Sequence, residues 1–206
     1  MSETKPVVFV VDDDLSVLKS LRRLLTVYGF RVETFSSARE FLGNYQGNVP
    51  GCLVLDIRLP QLDGLELQRI LAERGAVLPI IFITGHGDIP MSVQAMKAGA
   101  VDFLPKPFND QSLIEAIEFA LDKSRSDNLE KLELADISKK LATLTPRESE
   151  VLKYVVSGKL NKEIAADLGI AEKTVKVHRG RVMQKMRARS VADLVLMAEK
   201  ARIISI

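Results

Sequence analysis

The sequence predicts an α/β domain with a doubly wound, five-stranded parallel sheet, joined by a linker helix to a small all-helical domain. Five short apolar runs alternate with helix-period segments up to residue 121, whereas only helix signals follow residue 143. Charge also differs: residues 1–122 carry 11 Lys and Arg against 16 Asp and Glu, and residues 143–206 carry 13 against 7. We therefore place the domains at residues 1–122 and 143–206, with the linker helix at residues 123–142.

Each strand of the first domain is a short apolar or β-branched run. The runs are VVFVV, RVETF, CLVLD, PIIFIT and VDFLP, in chain order. The segments between and after them have helical spacing, as in SVLKSLRRLLTVYG, where Gly29 is the expected stop. Strands separated by helices require right-handed crossovers and a parallel sheet covered on both faces.

Polar residues follow the carboxyl ends of these strands, where open parallel sheets place their ligands. They are Asp12, Asp13, Asp14, Asp56, Thr84 and Lys106. Asp14 is explained as a helix N-cap. Carboxylates converging on one edge have raised pKa values unless a cation joins them, and Mg²⁺ prefers such oxygen ligands. A hydroxyl and an ammonium on the same edge suit the oxygens of a phosphoryl group.

The linker, KSRSDNLEKLELADISKKLA, is polar, with Leu134, Ile137 and Leu141 at helical spacing. A solvated helix is the first interpretation. A short coiled-coil contact between protomers stays open, although the heptads are too few to establish one.

The last domain has the signals of a helix-turn-helix. Thr145, Pro146 and Glu148 form a capping box with proline at the first helical position. Asn161 is expected to cap the next helix and Gly169 to end it, before a basic helix begins.

Periodicity separates two faces of this basic helix. Val175, Val182 and Met186 share one side, which we expect to pack on the other helices. The predicted DNA-contacting residues are Lys173, Thr174, Lys176, Val177 and Arg181. An exposed valine beside lysines suits a thymine methyl beside phosphates and guanine edges.

The motifs VVDDD, LDIRLPQLDGLEL, IIFITGHGD and AMKAGAVDFLPKPF resemble the receiver domain of two-component response regulators, over roughly residues 5–122. The resemblance implies a flavodoxin-like strand order and Asp56 as the phosphate acceptor. It implies Mg²⁺ as the cofactor, held by Asp12, Asp13, Asp56 and the backbone carbonyl of Arg58.

The same resemblance assigns the switch residues. Thr84 and Lys106 would contact the phosphoryl oxygens, and Phe103 would be the aromatic that turns inward when Thr84 moves toward the phosphate. A cis peptide between Lys106 and Pro107 is also implied. His86 occupies a position at which the family tunes phosphate lifetime.

The motifs LTPRESEVL, NKEIAADLGIAEKTVKVHRGRV and VADLVLMAEK resemble the DNA-binding domain of the LuxR/FixJ class of regulators, over about residues 143–202. One departure is Ala171, which stands where that family often has a capping serine.

Together the two resemblances predict a transcription regulator switched by phosphorylation, and not an enzyme that turns over a separate substrate. The expected partners are a sensor histidine kinase, double-stranded promoter DNA, a second copy of the chain when phosphorylated, and RNA polymerase as a further candidate. The alternatives are a DNA-binding regulator with a vestigial receiver, and a phosphatase that uses the motif Asp12-x-Asp14. One cysteine and the lack of any long apolar run predict a cytoplasmic protein without a membrane segment.

Overall fold

The structure, a computed structural model, describes residues 6–47, 49–85 and 89–203. The chain forms two compact units, one ending at Asn128 and the other beginning at Leu129. Within the described ranges, every helix is too short or too polar to cross a membrane.

The first unit is built on a five-stranded parallel sheet with the order β2-β1-β3-β4-β5. The strands are β1 (Val7–Val11), β2 (Arg31–Phe35), β3 (Gly51–Asp56), β4 (Ile80–Thr84) and β5 (Asp102–Pro105). The helices are α1 (Leu15–Val27), α2 (Ala38–Asn44), α3 (Gly64–Glu73), α4 (Ile89–Lys97) and α5 (Asp110–Leu141). This strand order is flavodoxin-like, so the predicted α/β fold is confirmed.

The sheet is covered on both faces, which explains why its three central strands, β1, β3 and β4, are buried along their whole length and almost wholly apolar. Phe9 of β1 packs in one hydrophobic cluster with residues of α2, α3 and α4, such as Phe41 and Leu67. Val8 and Val10 lie in the other cluster, against α1 and α5. Alternate residues of one strand therefore stabilise opposite layers of the unit.

Helix α5 differs from the prediction of a separate linker helix, because it continues without a break from Asp110 to Leu141. Its middle is attached to the first unit: the Gly51 N–H donates to the fully buried Ser124 hydroxyl at 3.2 Å. Its end belongs to the second unit, where Ile137 lies in the core. The domain limits at residues 122 and 143 stay a prediction.

The second unit contains four further helices: α6 (Pro146–Val156), α7 (Asn161–Leu168), α8 (Glu172–Met186) and α9 (Val191–Lys200). Val175, Val182 and Met186 of α8 are buried in their common core, as the periodicity predicted. The capping box of Thr145 and Glu148 at the start of α6 is also confirmed.

The predicted cap of α7 is wrong. Asn161 is the first helical residue, and the preceding Leu160 occupies the N-cap position, where its N–H donates to the Glu163 carboxylate at 2.7 Å. The Asn161 side chain is used elsewhere: its Oδ1 accepts a hydrogen bond from Arg179 Nη1 of α8 at 2.9 Å. Asn161 therefore joins two helices instead of capping one.

Candidate phosphoacceptor site and DNA-binding face

The predicted strand-end residues meet at the carboxyl edge of the sheet. Asp12 and Asp56 are 1% and 6% exposed, and the ammonium of Lys106 lies between them. Lys106 Nζ is 2.6 Å from Asp12 Oδ2 and 2.9 Å from Asp56 Oδ1. One lysine therefore serves two buried carboxylates that come from different strands.

Strand pairing brings these residues together. β1 and β3 are neighbours in register, with Val11 beside Leu55, so the residues that follow them share one edge. On the other side of β3, the Lys106 N–H donates to the Thr84 carbonyl at 2.7 Å, just beyond the last residues of β4 and β5. The Lys106–Pro107 peptide is cis, as the resemblance implied.

Burial sets the electrostatics of Asp56. Desolvation raises the pKa of its carboxyl above the usual range, against the hydrogen bond and charge of Lys106, which lower it; the charge of Asp12 raises it further. Burial alone would lower the pKa of Lys106, but its hydrogen bonds to Asp12 and Asp56 and the negative charges of these acids together raise it. Two carboxylates thus share one positive charge, and an excess negative charge remains at the edge.

The other predicted site residues surround this group. The Arg58 N–H donates to Asp56 Oδ2 at 2.9 Å, and the Asp13 side chain is exposed. Thr84 is buried, while Phe103 is half-buried against the core cluster of α2, α3 and α4. His86 lies outside the described residues.

The oxygen donors at this edge fit the chemistry of Mg²⁺. Asp12, Asp13, Asp56 and the Arg58 carbonyl could hold the ion, because Mg²⁺ takes a few hard oxygen ligands and keeps several waters. The described residues contain no cluster of three or more His, Cys, Asp or Glu already arranged around a metal position. The Lys106 ammonium offsets part of the negative charge of the two buried acids.

A groove of about 520 Å³ opens beside the lysine. Its walls are α1 and the segment that follows β5, with Val17, Leu24 and Phe108 among the apolar residues that line it. The groove makes the edge of the site accessible from the α1 side.

The predicted DNA-contacting residues all lie on one exposed side of α8. They are Lys173, Thr174, Lys176, Val177 and Arg181. Val177 is 47% exposed, and the space beside Gly180 is open to solvent. The opposite side of α8 is buried in the core of the second unit, so these five residues form the exposed side of the helix within that unit.

One buried contact of the second unit has no signal in the sequence. Lys185, near the end of α8, donates to Glu148 Oε2 at 2.6 Å and to the Thr143 carbonyl at 2.9 Å. The hydrogen bond and charge of Lys185, together with the hydrogen bond from the Thr145 N–H, lower the pKa of Glu148 to about 2. The local sequence predicts only a capping box for Glu148, and no periodic signal connects it to a lysine 37 residues away.

Sequence models of two families match the chain. The response regulator receiver domain matches residues 8–118, and the luxR family of bacterial regulatory proteins matches residues 142–198. The chain belongs to the two-component response regulators, in the class of transcription regulators that join a receiver domain to a LuxR-type DNA-binding domain.

Among individual relatives, nodulation protein W of Bradyrhizobium diazoefficiens is 52% identical over 96% of this chain and 87% of its own length. Transcriptional regulatory protein FixJ of Rhizobium meliloti is 48% identical over 93% of this chain and 94% of its own. The solved structure of the response regulator StyR is 50% identical, covers 95% of this chain and 99% of its own, and superposes with a TM-score of 0.84.

Proposed function

We propose that this response regulator accepts a phosphoryl group on Asp56 from a sensor histidine kinase, dimerises in the modified state and binds promoter DNA in the cytoplasm. The observation that carries the proposal is the shared Lys106 ammonium between Asp12 and the buried Asp56. A purely structural ion pair would need one carboxylate, not two.

The chemistry follows from these charges. An oxygen of the Asp56 carboxylate attacks the phosphorus of a phosphohistidine; a P–O bond forms, the P–N bond breaks, and the histidine nitrogen leaves with its electron pair and takes up a proton. Lys106 offsets charge on the transferring oxygens, which is where most of the barrier lowering in phosphoryl transfer arises. Bound Mg²⁺ would supply further positive charge to those oxygens.

Thr84 and Phe103 are the residues proposed to report the phosphate to the surface. Phe103 contributes to the same core cluster as Ala95 of α4, and Thr84 ends the strand that precedes α4. Phosphorylation would shift the population between two arrangements of this region. The size of the shift is set by how much more favourably the phosphoryl group interacts with one arrangement than with the other.

The surface proposed to dimerise is formed by α4, β5 and the first part of α5. It carries apolar side chains that are 44–64% exposed, namely Val93, Met96 and Phe119. A paired receiver would bring two basic helix-turn-helix modules to half-sites about one helical turn apart on the DNA.

The modification is tested by intact-mass measurement after treatment with acetyl phosphate and Mg²⁺. We expect one phosphoryl group on the parent and none on Asp56→Asn, because the nucleophilic oxygen pair is lost. Asp122→Asn, at an exposed aspartate of α5, is the matched control and should label like the parent. Equal labelling of Asp56→Asn would contradict the assignment.

Sedimentation tests dimerisation. The parent should be mainly monomeric before modification and dimeric after it, whereas Asp56→Asn should stay monomeric under both conditions. Unchanged sedimentation of the fully labelled parent would reject dimerisation on modification.

Selection on random DNA tests the α8 face. Val177→Ala and Lys176→Ala should each relax the preference at one base position, at a cost of roughly 1–3 kcal/mol, whereas Arg181→Ala should mainly reduce the salt dependence of binding. Lys131→Ala, on an exposed position of α5, is the control. If Val177→Ala and Lys176→Ala both select the same motif as the parent, the assignment of this face is wrong.

The phosphatase alternative makes a different demand. It requires Asp12 and Asp14 to act on a substrate, yet Asp14 accepts the Ser16 N–H at 2.7 Å as the cap of α1. Steady-state hydrolysis of a phosphomonoester that needs Asp12 but not Asp56 would support the phosphatase over the regulator.

A further inference from the structure

A buried glutamine connects α3 to the end of α4. Gln68 is 5% exposed, and its Nε2 donates to the carbonyls of Ala95 at 3.3 Å and Ala98 at 3.2 Å. Its Oε1 is buried and has no hydrogen-bond partner among the described residues. The side chain therefore uses its donor group on α4 and leaves its acceptor unused.

The two carbonyls belong to an ordered helix end. The Ala100 N–H donates to the Ala95 carbonyl and the Gly99 N–H to the Met96 carbonyl, with Gly99 at a φ of 92°, which is the Schellman arrangement. Because these hydrogen bonds hold the turn together, α4 and its C-terminal turn should move as one rigid segment.

The attachment is suited to being broken and remade. Both bonds are at or beyond the long end of the usual range for N–H···O bonds, and the unpaired acceptor carries a desolvation cost in this position. A movement of α4 would break the two hydrogen bonds from Gln68 Nε2. If it brought a donor to Oε1, the new hydrogen bond would recover part of the lost free energy. Gln68 thus favours the observed position of α4 without making it the only stable one.

The position of α4 matters for the surface it presents. Val93 and Met96 are exposed on α4, while Ala95 is fully buried in the same cluster that contacts Phe103. A shift of α4 would change the apolar face and the environment of the switch aromatic together.

We propose that Gln68 is a latch that holds α4 in the unmodified position and sets how readily the receiver becomes competent to dimerise. The dimerisation half of this inference rests on the proposed function, whereas the restraint on α4 does not. Gln68 touches neither Asp56 nor the predicted metal ligands, so it would act as a positioning residue.

The test compares hydrogen exchange of the unmodified full-length parent with Gln68→Met, which keeps the bulk and removes the donors. We expect the amides of residues 96–101 to exchange about ten-fold faster in the variant, which corresponds to ~1.4 kcal/mol, while β1 and α1 exchange as in the parent. Gln46→Met is the matched control, because Gln46 is exposed in the loop after α2 and lies outside the surface proposed to dimerise.

Sedimentation completes the test. Unmodified Gln68→Met should dimerise at a lower concentration than the unmodified parent. Gln68→Glu, which keeps the length but faces carbonyl oxygens with a carboxylate, should show the same changes and serves if the methionine variant misfolds.

Each contrary result overturns the latch. Unchanged exchange at the end of α4 would remove the restraint, and loss of protection throughout the receiver would assign Gln68 a structural role only. Faster exchange without any change in dimerisation would show that the position of α4 does not control dimerisation. A labelled parent that stays monomeric would contradict the proposed function instead, and the exchange comparison of unmodified proteins would still stand.

Discussion

Each unit of the chain buries carboxylate against a lysine, and the two clusters differ in how their charges balance. In the first unit, Lys106 is shared between Asp12 and Asp56. In the second, the ion pair of Lys185 in the described part of the chain is with one acid, Glu148. The Thr145 N–H donates to the same carboxylate at 2.9 Å. The first cluster leaves one acid under-compensated, whereas the second is fully paired.

The pKa values of the two acids move in opposite directions for this reason. Burial raises the pKa of Asp56, whereas the bonds from Lys185 and Thr145 lower the pKa of Glu148 to about 2. An acid that is buried without full compensation is ready to accept a cation or an electrophile. A fully bonded one contributes to the fold. On the proposed function, this balance of charges is what separates the phosphoacceptor site from the structural ion pair.

The largest expected effect is on phosphoryl transfer at the first cluster. Lys106→Met should slow labelling of Asp56 by acetyl phosphate by about 100-fold or more, because removal of one preorganised charge from a transition state costs on the order of 10²–10³ in rate. Intact mass against time gives the rate. Lys123→Met, at an exposed lysine of α5, should label at the parental rate. If Lys106→Met is labelled at a rate within a few-fold of the parent, the Lys106 charge does not accelerate phosphoryl transfer to Asp56.

At the second cluster we expect the effect to fall on stability. A double-mutant cycle of Glu148→Gln and Lys185→Met should give a coupling energy larger than the cycle of the exposed pair Arg147 and Glu150, which should stay below ~1 kcal/mol. Urea unfolding followed by circular dichroism measures both cycles. Equal coupling in the two cycles would mean that burial of Glu148 has no energetic consequence. Labelling of Asp56 should be the same in all these variants.

The pH dependence of stability should have opposite signs at the two acids. The lowered pKa of Glu148 contributes stability that is present above its usual value near 4.5 and is lost as pH falls toward about 2. The raised pKa of Asp56 contributes stability that is present below 3.8 and is lost as pH rises through the folded-state value.

Neutral substitutions make this difference measurable. At pH 7, Glu148→Gln should lower the free energy of unfolding and Asp56→Asn should raise it, and both differences should shrink as pH falls through the acid range. Urea unfolding of the full chain at a series of pH values is the measurement. Shifts of the same sign for both variants would contradict the opposite balance of charges.

The smallest effect concerns a helix start with no side-chain bond. α6 begins with a complete capping box, whereas α8 begins after Ala171, whose backbone has N-cap geometry but whose side chain cannot accept a hydrogen bond. Ala171→Ser should stabilise the second unit by about 1 kcal/mol, and Ala171→Val, which lacks the acceptor and is an equally poor N-cap residue, should not. Thermal unfolding compares the two, and equal midpoints would show that α8 gains nothing from a cap.

Local signals along the chain accounted for most of the fold. The apolar runs became β1 to β5, and the acidic, hydroxyl and lysine residues at their ends met at one edge because parallel strands end on the same side of a sheet. Val175 and Val182 were assigned to the buried side of α8 by spacing alone. These predictions succeed because periodicity and caps act within a few residues.

Other features had no local signal. Asn161 has the composition of a cap, but its side chain is engaged by Arg179, 18 residues away. The polar residues after Leu121 looked like a separate linker, yet buried Ser124 attaches α5 to the start of β3. In both cases a tertiary contact outweighs the local preference, because it satisfies a polar group that would otherwise be left without a partner.

The sequence by itself determined the two kinds of unit, the family and the group of residues at the strand ends. Only the tertiary structure decided that Lys106 lies between Asp12 and Asp56, that Lys185 reaches Glu148, and that Gln68 holds the end of α4. The physical reason is distance along the chain: these pairs are separated by 27 to 94 residues. Hydrophobic periodicity and helix caps involve residues that are close in the sequence. The sharing of a charge or a hydrogen-bond donor depends on how the packed layers bring distant side chains together.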